Sequence, residues 1–449
     1  MKPNILFILV DGLRADQCFG KGKKSVTPFL DSLIKSGVYF ENAFSTADGT
    51  MISLNCLFNS KFQLETGIRA KNIILTEENH LKTLKNSNYY ISGLIPKLTA
   101  LKPISDLLQN EEHTFEPGPP PETLSSGMTD RIKKLLNLLK EKSPWFCYLH
   151  LFDLHPLREG KLPQNIEQFE SEEFGDNYYE KTVSSIDYWL KKILKDVNFE
   201  NTIVVITSDH GELIPFGQKA SSEFEPELKN LSKIGKKVLP KTTQNVSGKI
   251  LGKIKKTIGK TKLDYSNKDL TSYQKRSREP HFTLSLYDEL LHIPFFMKGL
   301  NLPSKIIPEQ VSNLEIFPTI FELLGINYKN SEFSRNLMPL INNQKLVSKD
   351  IFLHTIPYEE KSPLDKIGIR TSKYKYFRNS EDPKKNVCLF DLEVDPYENC
   401  NIVANNPNIV DEMERKLKMM EENFPALNDE LIEDDEESIS EELKKLGYM

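Results

Sequence analysis

The chain has 449 residues, 38% apolar and 27% charged, with a formal net charge of −5. It is too long for one small core and apolar enough for a sizeable one, so wholesale disorder is excluded and a large domain with a smaller companion is expected. No run of about 18 apolar residues occurs, which excludes a membrane-spanning helix; five cysteines without a CxxC pair argue against a disulfide framework or a cysteine zinc site.

The opening apolar run from Ile5 to Val10 is too short for a secretory leader and enters Asp11-Gly12 directly. It reads as a first strand, and the protein is expected to be cytoplasmic. Through the first 330 residues β-branched runs alternate with helical patterns, as in a mostly parallel, doubly wound α/β sheet covered on both faces. Strands are predicted at Asn4–Val10, Tyr89–Leu94, Phe146–Phe152, Thr202–Thr207 and His292–Met297. Among the helices, Thr27–Ser36 opens with Thr-Pro, an N-cap with proline at the first helical position. Ile132, Leu135, Leu136 and Leu139 line one face of a helix over Thr129–Lys142. Tyr178–Val197 follows the same rule, and Glu315–Leu324 is a short helix stopped by Gly325.

From about Leu346 the pattern changes to short strands, Ile367–Thr371, Tyr374–Phe377 and Cys388–Asp391, then a helix over Asn408–Glu422. That predicts a small antiparallel sheet with one covering helix. The expected organisation is a main domain over 1–341, a small α+β subdomain over 342–422 and an acidic tail over 423–449.

Charge is unevenly spread. Residues 218–279 carry 16 Lys and Arg against six Asp and Glu, while 429–442 carry nine acids and no base. The acidic run reads as a solvated tail. In the basic stretch, Val246, Ile250, Ile254 and Ile258 recur four apart between Lys249, Lys253, Lys255 and Lys256. Such a basic amphipathic pattern suits an anionic membrane surface or a polyanionic substrate. Gly248, Gly252 and Gly259 weaken a helix there, and a solvated lid or loop is the plainer alternative. Nucleic acid is not an expected partner, because no aromatic interleaving accompanies the charge.

Ligands of a doubly wound sheet gather beyond the carboxyl ends of its strands. Three predicted ends carry chemistry: Asp11, Asp153-Leu154-His155 and Asp209-His210. Asp209 and His210 can both turn toward one divalent ion, or can form a hydrogen-bonded structural turn; Asp11 would add an anionic oxygen. Thr50 and Ser53 precede the helical run Leu54–Phe58. A hydroxyl at a helix N-terminus is either a cap or a group placed where an anion is stabilised.

Together these residues resemble the sulfatase family of the alkaline phosphatase superfamily. The resemblance runs through the opening segment Pro3–Asp16, Thr27-Pro-Phe-Leu-Asp31, Gly37–Phe44, and Tyr178–Asp187 followed by Asn201–Glu212. It continues through Leu286–Pro294, Glu315–Gly325, Lys373–Tyr376 and Leu389–Pro396. By this resemblance Asp11, Asp209 and His210 are metal ligands, and His155 contacts the ester or its leaving group. The family's second aspartate is replaced by Gly12. Its nucleophile, a cysteine or serine converted to formylglycine, falls on Thr50; the motif's proline is Ile52, its serine Ser53 and its arginine Leu54. His281 fits a substrate-contacting position, His292 replaces a common arginine and reads as structural, and Lys97 poorly matches a sulfate-binding lysine. His150, pointing the other way on its strand, reads as a satisfied core histidine, and Cys56 as a core residue.

The resemblance implies a hydrolase of sulfate or phosphate esters, small or carried on a glycan, with Thr50 as nucleophile and a Ca, Mn, Zn or Mg ion as cofactor. Asp11, Thr50, Asp209 and His210 would converge on that ion. Because threonine cannot become formylglycine, phosphate-type esters are favoured. The alternatives are a transferase moving a phospho-headgroup to or from a glycan or lipid, and a non-catalytic module binding anionic glycans.

Overall fold

The computed structural model describes residues 2–66, 72–118, 121–158, 162–214, 271–276, 285–329, 331–355 and 365–425. The chain divides into two compact units, residues 1–212 with 281–449, and residues 213–280. Of the second unit, residues 213 and 214 and a short helix, Ser272–Arg276, are described. The basic amphipathic pattern around Lys249, most of the acidic tail and His281 lie outside the described residues.

Strands described in the first unit are β1 (Asn4–Val10), β2 (Val38–Phe44), β3 (Tyr90–Pro96), β4 (Thr114–Phe115), β5 (Trp145–Leu151), β6 (Thr202–Thr207), β7 (His292–Lys298), β8 (Lys305–Ser312), β9 (Ile351–His354), β10 (Lys366–Arg370), β11 (Tyr374–Asn379) and β12 (Cys388–Asp391). The first eight form one sheet in the order β4-β3-β5-β1-β6-β7-β2-β8; the last four form a second in the order β12-β11-β10-β9. The architecture is the expected one, a mostly parallel sheet with helices and a small antiparallel sheet.

β1 sits at the centre, parallel to β5 and β6, and all seven of its residues are buried. Its unbroken apolar run is what a strand covered on both faces requires. Among the expected strands β7 departs from the parallel set, running antiparallel to both β6 and β2. β2 and β8 evade the alternation rule for separate reasons. β2 carries a register shift after Phe40, beside its half-buried Glu41 and Asn42. β8 is an edge strand containing Pro308, with residues such as Glu309 and Gln310 breaking its apolar run.

The helix Thr50–Asn59 is buried along its whole length. On one side Phe58 meets Tyr148 of β5 edge-on at 5.3 Å and Phe317 at 5.5 Å. On the other, Ile52 and Cys56 share a core with Phe352, Ile369, Tyr376, Leu389 and Leu417 from the small sheet and its covering helix Pro407–Glu422. The helix therefore lies between the two sheets.

A buried charge cluster ties the sheets a second time. Lys375 Nζ, fully buried, lies 2.6 Å from Asp288 Oδ1 and 2.7 Å from Glu398 Oε1. Arg370 reaches Asp288 Oδ2 at 3.1 Å and lies over the Phe44 ring at 3.6 Å. Burial alone would raise the Asp288 carboxyl, but Arg370 and Lys375 hold it below the ordinary carboxylate range.

Helix Tyr178–Leu194 begins at Asn177, whose side chain accepts the Glu180 N–H at 3.0 Å. From its middle, Asp187 accepts the N–H groups of Phe29 at 3.1 Å and Leu30 at 2.7 Å, capping the Pro28–Ile34 helix from outside. Among the described residues no helix is long and apolar enough to cross a membrane. Asp187→Ala is expected to lower stability by about 1–3 kcal/mol, because two helix N–H groups lose a charged acceptor. Asp187→Asn, which keeps an acceptor, should cost less; urea unfolding of both variants checks the ranking.

Candidate active site

The loop after β1 places Asp11, and the loop after β6 places Asp209 and His210 beside it. All three are buried, and each offers a ligand atom within 4.8 Å of the others. The two loops are bonded to each other: the Gly12 N–H donates to Asp209 Oδ1 at 3.2 Å, and the Leu13 N–H to Ser208 Oγ at 3.0 Å. Gly12 adopts φ +72°, a backbone conformation that glycine reaches without a Cβ penalty. The buried Tyr179 phenol closes this turn, donating to the Gly12 carbonyl at 2.6 Å and accepting the Arg14 N–H at 2.9 Å. Arg14 in turn donates to the Glu212 carbonyl at 3.2 Å, joining the far ends of both loops.

Thr50 completes the cluster from the buried helix. Its Oγ1 lies 3.2 Å from Asp11 Oδ2 and 3.2 Å from His210 Nε2. The residue capping the helix is Gly49, with Thr50 the first helical residue. The Thr50 hydroxyl is thus turned to the two loops. Ser53 has the structural part instead, meeting Ser45 Oγ at 2.9 Å and donating to the Ala47 carbonyl at 3.2 Å.

The donor set fits a cation. His210 Nδ1 donates to the Gly211 carbonyl at 2.6 Å, so Nε2 presents its lone pair. That lone pair faces Asp209 Oδ2 at 3.5 Å, and this buried carboxylate oxygen has no hydrogen-bond partner among the described residues. Two carboxylates, an imidazole lone pair and a hydroxyl that meet in one buried space suit a divalent ion.

The remaining sequence candidates fall differently. His155 follows β5, the neighbour of β1, and is buried with its ring stacked on Phe152 at 4.6 Å. Asp153, two residues earlier, accepts the Leu124 N–H at 2.9 Å, while its Oδ2 has no hydrogen-bond partner among the described residues. Burial pushes its carboxyl up to about 7 against that hydrogen bond. Lys97 forms an exposed ion pair with Glu116 at 3.0 Å. His292 Nε2 meets the Glu41 carbonyl at 2.8 Å, in the structural role expected of it. Cys56 is fully buried, with its thiol pushed up to about 12 by burial; it is a core residue.

His150 was expected to be a satisfied core histidine pointing away from the site, and this is corrected. Its Nε2 lies 3.6 Å from Asp11 Oδ2 and, among the described residues, makes no hydrogen bond. The signal that finds it is register. Leu9 pairs with His150, and alternation then puts Asp11 on the same face of the sheet. Tyr179 and Gly12 also escaped notice as site residues, because their role is a contact between distant loops.

Fold and site together define a member of the alkaline phosphatase/sulfatase-like class. The sulfatase family profile matches residues 3–326, and the profile described as N-sulphoglucosamine sulphohydrolase, C-terminal, matches 283–423. The chain belongs to the sulfatase family. It is 23% identical over 316 residues to arylsulfatase K of Mus musculus, a match covering 67% of this chain and 54% of that protein, so it spans about half the relative's length. The phosphonate monoester hydrolase of Agrobacterium radiobacter superposes with a TM-score of 0.64 at 14% identity, covering 94% of this chain and 96% of that one. A 2-O GAG sulfatase superposes with a TM-score of 0.64 at 18% identity, covering 98% and 94%.

Two outcomes test this geometry. A Cβ on Gly211 would stand 2.1 Å from the Glu289 carbonyl oxygen, so Gly211→Ala should cost about 1–3 kcal/mol, read as a lower Tm. Asp153 has a folded pKa of about 7, above its ordinary value of 3.8. Its contribution to stability is therefore complete below about pH 4 and lost as pH rises through about 7. Asp153→Asn, which keeps an acceptor for Leu124, should flatten the fall in Tm between about pH 5.5 and 8; equal slopes in calorimetry would contradict this.

Proposed function

We propose that the chain is a metal-dependent ester hydrolase that uses Thr50 as nucleophile and turns over phosphate-type esters faster than sulfates. The observation that carries it is the Thr50 hydroxyl, 3.2 Å from both Asp11 Oδ2 and His210 Nε2 at the start of a buried helix. A divalent ion held by Asp11, Thr50, Asp209 and His210 would lower the pKa of that hydroxyl and draw charge from the ester oxygens.

The chain's own groups then have defined parts. Thr50 Oγ1 attacks phosphorus in line with the departing ester oxygen, and its proton passes to Asp11 Oδ2, which already accepts it. His155, beyond the carboxyl end of β5, donates a proton to the leaving oxygen. Water attacks the resulting phosphothreonine, returning the hydroxyl and releasing phosphate. An acceptor hydroxyl in place of that water would make the same intermediate serve a transferase. Convergence of the hydroxyl with the ligand cluster favours catalysis over a purely glycan-binding module.

Sulfate-ester hydrolysis is favoured instead by the likeness to arylsulfatase K and to a 2-O GAG sulfatase. Against it, Thr50 stands at the position of the formylglycine precursor and cannot become an aldehyde hydrate. A sulfated threonine would lack the geminal hydroxyl that expels sulfate. Ile52 and Leu54, at the motif's proline and arginine, are fully buried apolar residues. The similarity to a phosphonate monoester hydrolase is consistent with the phosphorus-based choice.

The test is an assay of the full chain, loaded in turn with Mn, Zn, Ca and Mg, on matched aryl phosphate, phosphodiester, phosphonate and sulfate esters. Phosphorus esters should react faster. Thr50→Ala should lose on the order of 10³-fold or more in kcat, and Thr50→Ser should retain much of it. Faster sulfate turnover, or full activity in Thr50→Ala, would overturn the mechanism.

A further inference from the structure

Behind Asp11 lies a buried pair that the proposed reaction leaves unused. His150, on β5 opposite Leu9 of β1, is fully buried. Its Nδ1 lies 3.0 Å from the hydroxyl of Tyr148, two residues earlier on the same face of the strand. Tyr148 is itself fully buried, and burial, then the charges of Asp209 and Asp11, push its phenol well above the ordinary range. A neutral buried phenol donates its hydrogen, and His150 Nδ1 is the acceptor beside it. The ring proton is thereby assigned to Nε2. That nitrogen makes no hydrogen bond among the described residues and stands 3.6 Å from Asp11 Oδ2. An approach of about half an ångström would make it a donor to the carboxylate.

His150 is not a member of the group formed by Asp11, Asp209 and His210, whose ligand atoms lie within 4.8 Å of one another. It meets Asp11 from the β5 side, while Thr50 meets the same oxygen from the helix side. We propose that His150 is a positioning residue: the relay Tyr148 O–H to Nδ1, and Nε2–H to Asp11 Oδ2, orients the Asp11 carboxylate and sets its donor strength toward the divalent ion. This rests on the metal-dependent reading of the site. A histidine donating to a ligand carboxylate differs from the common arrangement, in which a carboxylate supports a ligand histidine, but the constraint is the same. A ligand whose second contact is fixed loses less freedom on binding the ion.

The experiment measures Mn2+ dissociation constants by calorimetry for the full chain and for His150→Phe, His150→Gln and Tyr148→Phe. Nitrogen-15 spectra of the histidines in the wild-type protein are recorded alongside. His150→Phe should weaken Mn2+ binding by about 10–100-fold, and His150→Gln, whose amide can still donate, should recover most of that loss. Tyr148→Phe should give a smaller loss and a mixed tautomer where the wild type shows Nε2–H. Mn2+ affinity in His150→Phe within about twofold of wild type, or an Nδ1–H tautomer in the wild type, would overturn the relay. A wild-type protein that binds Mn2+ in neither case, nor Zn2+, would overturn the metal-site reading and the relay with it. Should His150→Phe fail to fold, the glutamine variant and the wild-type spectrum still decide.

Discussion

The site depends on a helix that has no solvent-facing side. Thr50–Asn59 is buried over all ten residues, so it cannot be positioned by one amphipathic face as a surface helix is. It needs two apolar surfaces, and the protein supplies one from each sheet. Phe58 against Tyr148 and Phe317 sets its height over the large sheet; Ile52 and Cys56 against the small sheet's core set its rotation. Close packing transmits such constraints without slack. The first residue of the helix then presents its hydroxyl to Asp11 and His210 with little freedom to turn elsewhere. A proline or arginine at Ile52 or Leu54 would have to occupy fully buried space.

The polar side of the site is held by a different means. Asp11 and Asp209-His210 sit on two loops, one directly after β1 and one directly after β6. They are held by hydrogen bonds that cross from loop to loop: Gly12 to Asp209, Leu13 to Ser208, Tyr179 to both sides of the first turn, and Arg14 to the Glu212 carbonyl. Nearly every one pairs a backbone group with a side chain. Loss of any such side chain would strand a buried backbone partner as well as loosen a loop, so the rigidity of the ligand cluster and the satisfaction of the core are one requirement.

Much of this was legible in the sequence because strand chemistry is local. The runs that became β1, β5, β6 and β7 are apolar and bounded by turn residues, and their ends announced Asp11 and Asp209-His210. Thr50 was reached by counting from Phe40–Ala43 within the resemblance; residue types alone left it divided between a cap and a nucleophile. In the structure Gly49 occupies the cap, and Thr50 Oγ1 lies 3.2 Å from Asp11 Oδ2 and 3.2 Å from His210 Nε2. His150 was misjudged for a physical reason. Its facing is set by the register of β5 against β1, which neither strand's sequence contains. β2 and β8 were obscured by a register shift and by an edge proline, both of which break periodicity. The antiparallel course of β7 was invisible too, since a fully buried strand reads alike in either direction.

The cluster of Asp288, Arg370, Lys375 and Glu398 bears on how such a chain can be inherited. Taken alone, the segment bearing Asp288 would carry an anion into the apolar surroundings of Leu286, Leu291 and Phe44. To this cluster the small sheet and its connections supply two cations, Arg370 and Lys375, and one anion, Glu398. Neither piece balances its own share of the cluster, and an unpaired buried charge is among the costlier defects a core can hold. The two sheets are therefore poor candidates for recombination with foreign partners. They form one folding unit although they look like two, and a break in the segment between β8 and β9, which carries the Ile316–Leu324 helix, would leave buried charges on both sides without their partners.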